Sequence, residues 1–199
     1  MKFLLYYINI EMKEENKMEI QLVYIVEGYK FKEYKNAANF EEFIKNKNFK
    51  EYELRIIADA FKENLNSEDV EKIVKVGPDS AKMKLVLKGI LENLDVDFYA
   101  NKELAIEQME LIHYGLVNNL KVEYYANPIY TIKQMKAIIY GLINNLKVES
   151  YNDHKYTFEQ MKELIDGLEK GLNIKILQNE KLTVDEMKQI KSRLMKLKK

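Results

Sequence analysis

Side chains able to do covalent or acid–base chemistry are scarce in this chain. Its 199 residues include no Cys and only two His, which excludes disulfides, thiolate metal sites and Cys nucleophiles. His113 stands beside Tyr114 in a segment of helical periodicity, and His154 follows Asp153 in a turn. Neither has His, Asp or Glu at the spacing of a metal site. The expected roles are a packing residue and a solvated turn residue. Carboxylates are plentiful but interleaved with lysines, as Glu159, Glu163 and Glu169 are with Lys162 and Lys170. That is the pattern of a solvated helix face. No phosphate loop, dinucleotide fingerprint, nucleophile elbow or zinc-protease motif occurs, and Gly77-Pro-Asp-Ser80 reads as a turn into a helix cap. A non-enzyme without metal or cofactor is expected.

Charge narrows the partners. Lys and Arg number 32 and so do Asp and Glu, so the basic excess of a dedicated nucleic-acid or acidic-membrane binder is missing. Hydrophobic residues make up 47% of the chain, enough for a folded core. No apolar run approaches the roughly 20 residues that cross a bilayer. The apolar start at Phe3–Ile10 lacks a small-residue cleavage site and reads as a β-strand. A cytoplasmic protein with no membrane partner is expected.

What positions the side chains is a repeat. Met83, Met109, Met135, Met161 and Met187 are spaced by 26 residues. Three residues on stand Val86, Ile112, Ile138, Leu164 and Ile190; six on, Gly89, Gly115, Gly141, Gly167 and then Arg193; seven on, Ile90, Leu116, Leu142, Leu168 and Leu194. A fixed period of this length means stacked supersecondary units. Four residues before the Met come Asp79, Ala105, Thr131, Thr157 and Thr183, and one before it Lys82, Gln108, Gln134, Gln160 and Glu186. Thr-x-x-Gln is a capping box, and Leu104, Tyr130, Tyr156 and Leu182 outside it can staple onto the Met. Asn93, Asn119, Asn145 and Gly171 are the residue types that end a helix in the left-handed conformation. Each unit is therefore a helix of about three turns. The alternation in Leu120-Lys-Val122 predicts an extended return segment. Gly inside a helix costs roughly 1 kcal/mol relative to Ala, so the glycine column predicts close approach of a neighbouring element. Arg193 and the lysines after it suit the polar outer side of a terminal repeat.

The stretch Tyr125-Ala-Asn-Pro-Ile-Tyr-Thr-Ile-Lys-Gln-Met-Lys-Ala-Ile-Ile-Tyr-Gly-Leu-Ile-Asn-Asn-Leu-Lys-Val148 resembles a repeat found in anaerobic bacteria and in their phages and plasmids. There a Tyr-Ala-Asp/Asn-Pro turn leads into Gln-Met-x-x-Ile-x-x-Gly-Leu. The resemblance covers about residues 79–199. It implies a mobile-element or host-defence setting and brings no catalytic residue with it.

Upstream, Leu54, Ile57, Ala60, Phe61, Asn64 and Leu65 follow the order of a weaker unit, with residues 67–76 lengthening its return. Asn39-Phe-Glu-Glu42 reads as a helix cap. Residues 18–34 alternate around Gly28 as a hairpin, joined by a strand at 3–10. The expected fold is mainly α: a solenoid of five to six single-helix repeats with extended return segments over 49–199, regular from about 79. A small N-terminal α+β region (1–48) precedes it and covers the first repeat.

Tyrosine is the remaining signal, with 14 residues and no Trp. Tyr99, Tyr125 and Tyr151 are again 26 apart in the return segments and form a ladder, either as inter-repeat core or as an edge for binding. On the helices one column reads Lys88, Tyr114, Tyr140, Asp166, varying in chemistry as a surface does. Exposed Tyr anchors protein partners and also stacks on bases. The leading expectation is a non-catalytic protein-interaction module, a mobile-element inhibitor or sequestering protein acting on a host protein. The alternative is a binder of nucleotide or single-stranded nucleic acid through Tyr and Lys. These seven residues are the candidate site under both.

Overall fold

The computed structural model describes residues 6–13, 17–24 and 37–197, with side chains from residue 39 onward. Strands β1 (Tyr6–Lys13) and β2 (Lys17–Tyr24) pair antiparallel, setting Tyr6 opposite Tyr24 and Lys13 opposite Lys17. The part of the expected hairpin around Gly28 lies outside the described residues. From residue 37 the chain is helical: α1 (Ala37–Ile44), α2 (Glu51–Lys62), α3 (Ser67–Lys75), α4 (Ser80–Leu91), α5 (Ile106–Val117), α6 (Ile132–Ile143), α7 (Phe158–Glu169) and α8 (Val184–Leu197). From α4 onward each helix packs on the one before and the one after, while α4 also meets α2 and α3. Helix α1 joins the same core: Phe43 stacks on Phe49 at 6.2 Å and meets the edge of Phe61 at 5.7 Å.

The helices begin and end as their cap residues dictate. Asp79 Oδ1 accepts the N–H groups of Ala81 and Lys82, and the Thr131 and Thr157 hydroxyls accept those of Gln134 and Gln160. Ala105 has no side-chain acceptor, so only the reciprocal half of the box remains there, Ala105 N–H to Gln108 Oε1 at 2.8 Å. At the other end Asn93, Asn119, Asn145 and Gly171 take positive φ of 53–60°. The next residue then folds back, Leu94 N–H to Gly89 C=O and Leu146 N–H to Gly141 C=O, which is the Schellman closure. Asn64 and Leu65 close α2 in the same way, onto Phe61 and Ala60, so the weaker upstream unit shares the local geometry.

Two local expectations are corrected. The return segments are not extended: Val96–Phe98, Val122–Tyr124, Val148–Ser150 and Ile174–Leu177 are single turns of 3₁₀ helix. In a 3₁₀ turn residues i and i+3 eclipse, which puts Val122 over Tyr125 and Val148 over Tyr151, all buried. The Leu-x-Val alternation describes the entry to that turn. Likewise residues 67–75 are helix α3, capped by Asn66, whose side chain accepts the Asp69 N–H at 2.9 Å, and buried through Val70 and Ile73.

The tyrosine after each 3₁₀ turn explains the glycine column. Tyr99, Tyr125 and Tyr151 are buried and run back under their own helix. Their hydroxyls donate to the carbonyls of Leu85, Leu111 and Ala137 at 3.3–3.4 Å. A Cβ placed on Gly89, Gly115 or Gly141 would lie 1.7–1.8 Å from the same hydroxyl. Burial pushes all three phenols well above their ordinary pKa, so they remain neutral donors. In the last of these units Leu177 takes the place of the tyrosine, and Gly167 faces Ile174 instead. The close neighbour is therefore the unit's own return segment.

The Gln column joins one unit to the next. Gln134 Oε1 accepts the Thr131 N–H at 2.8 Å, while its Nε2 donates to His154 C=O at 3.0 Å and Tyr156 C=O at 2.7 Å in the following turn. Gln108 reaches Pro128 and Tyr130, and Gln160 reaches Glu180 and Leu182, in the same way. All three are buried.

Two substitutions test these joints. Gly141→Ala should lower stability by roughly 1–3 kcal/mol through overpacking, although Ala is the better helix former by about 1 kcal/mol. Combining it with Tyr151→Phe removes the nearest clash, so the double variant should lose less than the two singles together; additive losses in urea unfolding would place the steric conflict elsewhere. Gln134→Glu cannot donate to two buried carbonyls and should cost about 3 kcal/mol near neutral pH. Those carbonyls raise the folded-state pKa of the new carboxyl above its unfolded value of about 4.3. The deficit is then full above the folded pKa and closes as pH falls toward the unfolded one. A deficit independent of pH would rule out the buried charge as its cause.

Candidate protein-docking face

The candidate residues separate into two groups by burial. Tyr99, Tyr125 and Tyr151 are at most 1% exposed and belong to the core, not to the candidate surface. Lys88, Tyr114, Tyr140 and Asp166 lie on the outer side of α4, α5, α6 and α7, with Tyr114 and Tyr140 46% and 45% exposed. Residues three apart on a helix share a face, and three beyond this column come Leu91, Val117 and Ile143. These are 46%, 52% and 51% exposed. In the sequence they are masked by the Met, +3, +7 stripe, which already accounts for the core. Their signal was one more column at the 26-residue spacing, apolar at Leu91, Val117, Ile143 and Met195 and acidic at Glu169.

The two columns interlock across helices. The Tyr140 hydroxyl donates to the carboxylate of Glu169 on α7, so a residue of the first column touches the second column of the next unit. The same offset of 29 residues relates Tyr114 to Ile143 and Lys88 to Val117. Leu91, Tyr114, Val117, Tyr140 and Ile143 thus form one apolar stripe across three consecutive helices. It ends in charge on both sides, at Lys88 with Glu92 3.8 Å away and at Asp166 and Glu169.

The helices carrying the stripe alternate in sign. Helix α4 has Lys82, Lys84 and Lys88 and no acid; α5 has Glu107 and Glu110 and no Lys or Arg; α6 has Lys133 and Lys136 and no acid. Helix α7 sets Glu159, Glu163, Asp166 and Glu169 against Lys162. Asp166 is engaged within the fold by Lys170 and Lys191. Burial works to raise its carboxyl, but the hydrogen bonds from the two lysines outweigh that and hold it below its ordinary value. Lys191 also binds Glu163 and ties α8 to α7.

The histidines stand apart from the stripe. His113 is buried with its ring edge-on to Tyr99 at 6.0 Å, and its Nε2 lies 2.9 Å from Glu92 Oε2. That contact is attractive only with a proton on Nε2. His154 is exposed in its turn, Nδ1 3.6 Å from Asp153. Among the described residues no three His, Asp or Glu cluster as a metal site, and no helix is long and apolar enough to cross a membrane. Comparison with protein-family models, curated proteins and solved structures yields no match.

Proposed function

We propose that this chain is a non-catalytic protein-interaction module, a solenoid of five to six single-helix units that offers its outer stripe to a protein partner. The observation that carries the reading is the contrast between columns. Met83, Met109 and Met135 are wholly buried, while Leu91, Val117 and Ile143 in the same helices are about half exposed. A contiguous apolar patch with a charged rim is the anatomy of a protein interface. A nucleic-acid track needs consecutive basic units, and acidic α5 and α7 interrupt it. The resemblance to a mobile-element repeat supports a host protein as target, in the manner of an inhibitor or sequestering protein.

The reading is tested by a photo-crosslinking amino acid placed at Val117 or Ile143, with Glu123, exposed in a return turn off the helix face, as the control position, in cells producing the full chain. Protein adducts should form from the two stripe positions and not from the control. Tyr114→Ala with Tyr140→Ala should reduce the adducts and weaken binding by about 2 kcal/mol or more, while helicity and melting temperature stay close to those of the parent. No adduct from either stripe position ends the docking reading.

A further inference from the structure

We infer that the stripe's occupant is a second copy of this chain, docked about a two-fold axis that passes between α5 and α6. The inference rests on the reading of the stripe as a docking face and names as its occupant a copy of this chain, in place of the host protein that the resemblance suggests for that face. A two-fold interface is isologous: where residue i meets j of the partner, j also meets i. The surface must then be its own complement when the order of its units is reversed.

This surface meets that condition. Reversing α4, α5, α6 and α7 sets α4, with three lysines and no acid, against α7, with four carboxylates and one lysine, so that the helices complement each other in net charge although Lys84 itself falls opposite Lys162. It sets α5, with two glutamates, against α6, with two lysines. Along the column itself, Lys88, Tyr114, Tyr140, Asp166 reversed places Lys88 opposite Asp166 and Tyr114 opposite Tyr140. Alternating charge alone would also favour packing between neighbouring helices within one chain. The position of the apolar stripe distinguishes the two-fold: Tyr114 and Tyr140 flank the same α5–α6 junction about which the charges invert.

Size agrees. A 12-residue helix is about 18 Å long, and four helices spaced by about 10 Å present a face of about 700 Å². A stable interface takes about 800 Å² per partner.

The pairing left open within one chain is at the centre. Asp166 and Glu163 are engaged by Lys191, whereas Glu110 on α5 and Lys136 on α6 are exposed and would meet across the axis twice. The full chain should therefore run as a dimer in sedimentation or light scattering at up to about 100 μM. Glu110→Lys and Lys136→Glu each put like charges opposite one another at both places, and each should associate at least about tenfold more weakly. Mixing the two variants restores both pairs, so the mixture should form a dimer of one copy of each. Circular dichroism confirms that both surface variants remain folded.

A parent chain that is monomeric at this concentration overturns the inference. So does a parent dimer that both variants keep, or a mixture that stays monomeric. The docking reading is judged separately by the crosslinks: adducts of twice the chain mass support a second copy, adducts of another mass from the same positions refute it while leaving the docking face, and their absence refutes both.

Discussion

The primary amide of one glutamine per unit is the interaction on which the stack depends. Its oxygen closes the N-terminus of its own helix, and its two N–H bonds hold two carbonyls of the following turn. No other side chain of that length can accept at one end and donate twice at the other. The units at the ends of the array show the constraint by departing from it. Lys82 has no acceptor and reaches one carbonyl, that of Lys102 at 3.0 Å, and the N–H of the cap residue Asp79 goes to Gly77 C=O at 2.8 Å instead. Glu186 accepts from the Thr183 backbone and hydroxyl at 2.7 and 2.8 Å, and those bonds hold its carboxyl below the ordinary value. It cannot donate, and no further unit follows α8 among the described residues. A net hydrogen bond contributes about 1 kcal/mol, but a buried carbonyl left without a partner costs about 1–3 kcal/mol. The amide's worth lies in what its absence would expose.

Within a unit the direction of the chain is set by steric exclusion. Positive φ at the Asn ends the helix, the next N–H returns to the glycine carbonyl, and the 3₁₀ turn brings a tyrosine back beneath the glycine. The missing Cβ is what admits the hydroxyl to the backbone carbonyl four residues earlier. Glycine's cost in helix propensity is thus offset by a buried aromatic ring with its polar end satisfied. Since the glycine and the tyrosine belong to one unit, each unit shapes itself, and the glutamine then sets the step to the next.

Much of this was legible in the sequence because it lies in residue types at a fixed spacing. The period, the caps, the Asn stops and the existence of a close neighbour for the glycines all follow from single columns. The 3₁₀ turns were missed because Leu-x-Val alternates as a strand does; the discriminating signal was the pair Val122 and Tyr125, three apart and repeated as Val96 with Tyr99 and Val148 with Tyr151, with Ile174 and Leu177 in the unit after. Helix α3 was missed because the 26-residue frame invites any insertion to be read as a loop, although Asn66 followed by acids and by Val70 and Ile73 marks a helix. The tyrosine ladder could be read as core or as edge. Only the fold shows that its hydroxyls point under the helix. Of the candidate surface, the Lys88 column was found, and the Leu91 column was hidden behind an apolar pattern already assigned to the core.

Repetition by itself would spread an apolar column along the whole array, and here it does not. At α7 the columns turn acidic: Asp166 stands where Tyr140 does one unit earlier, and Glu169 stands where Ile143 does and accepts the Tyr140 hydroxyl. At α4 the first column turns basic with Lys88 while Leu91 stays apolar. The core columns over the same helices keep Met, a β- or γ-branched residue and Gly without exception. Substitution has therefore been permitted at the surface columns and has bounded the apolar stripe on both sides. Exposed apolar surface lowers solubility and favours association, so a stripe of defined length, closed by opposite charges at its two ends, has the form of a site. The charges that close it also give the surface a direction, and that direction restricts how any partner can lie across it.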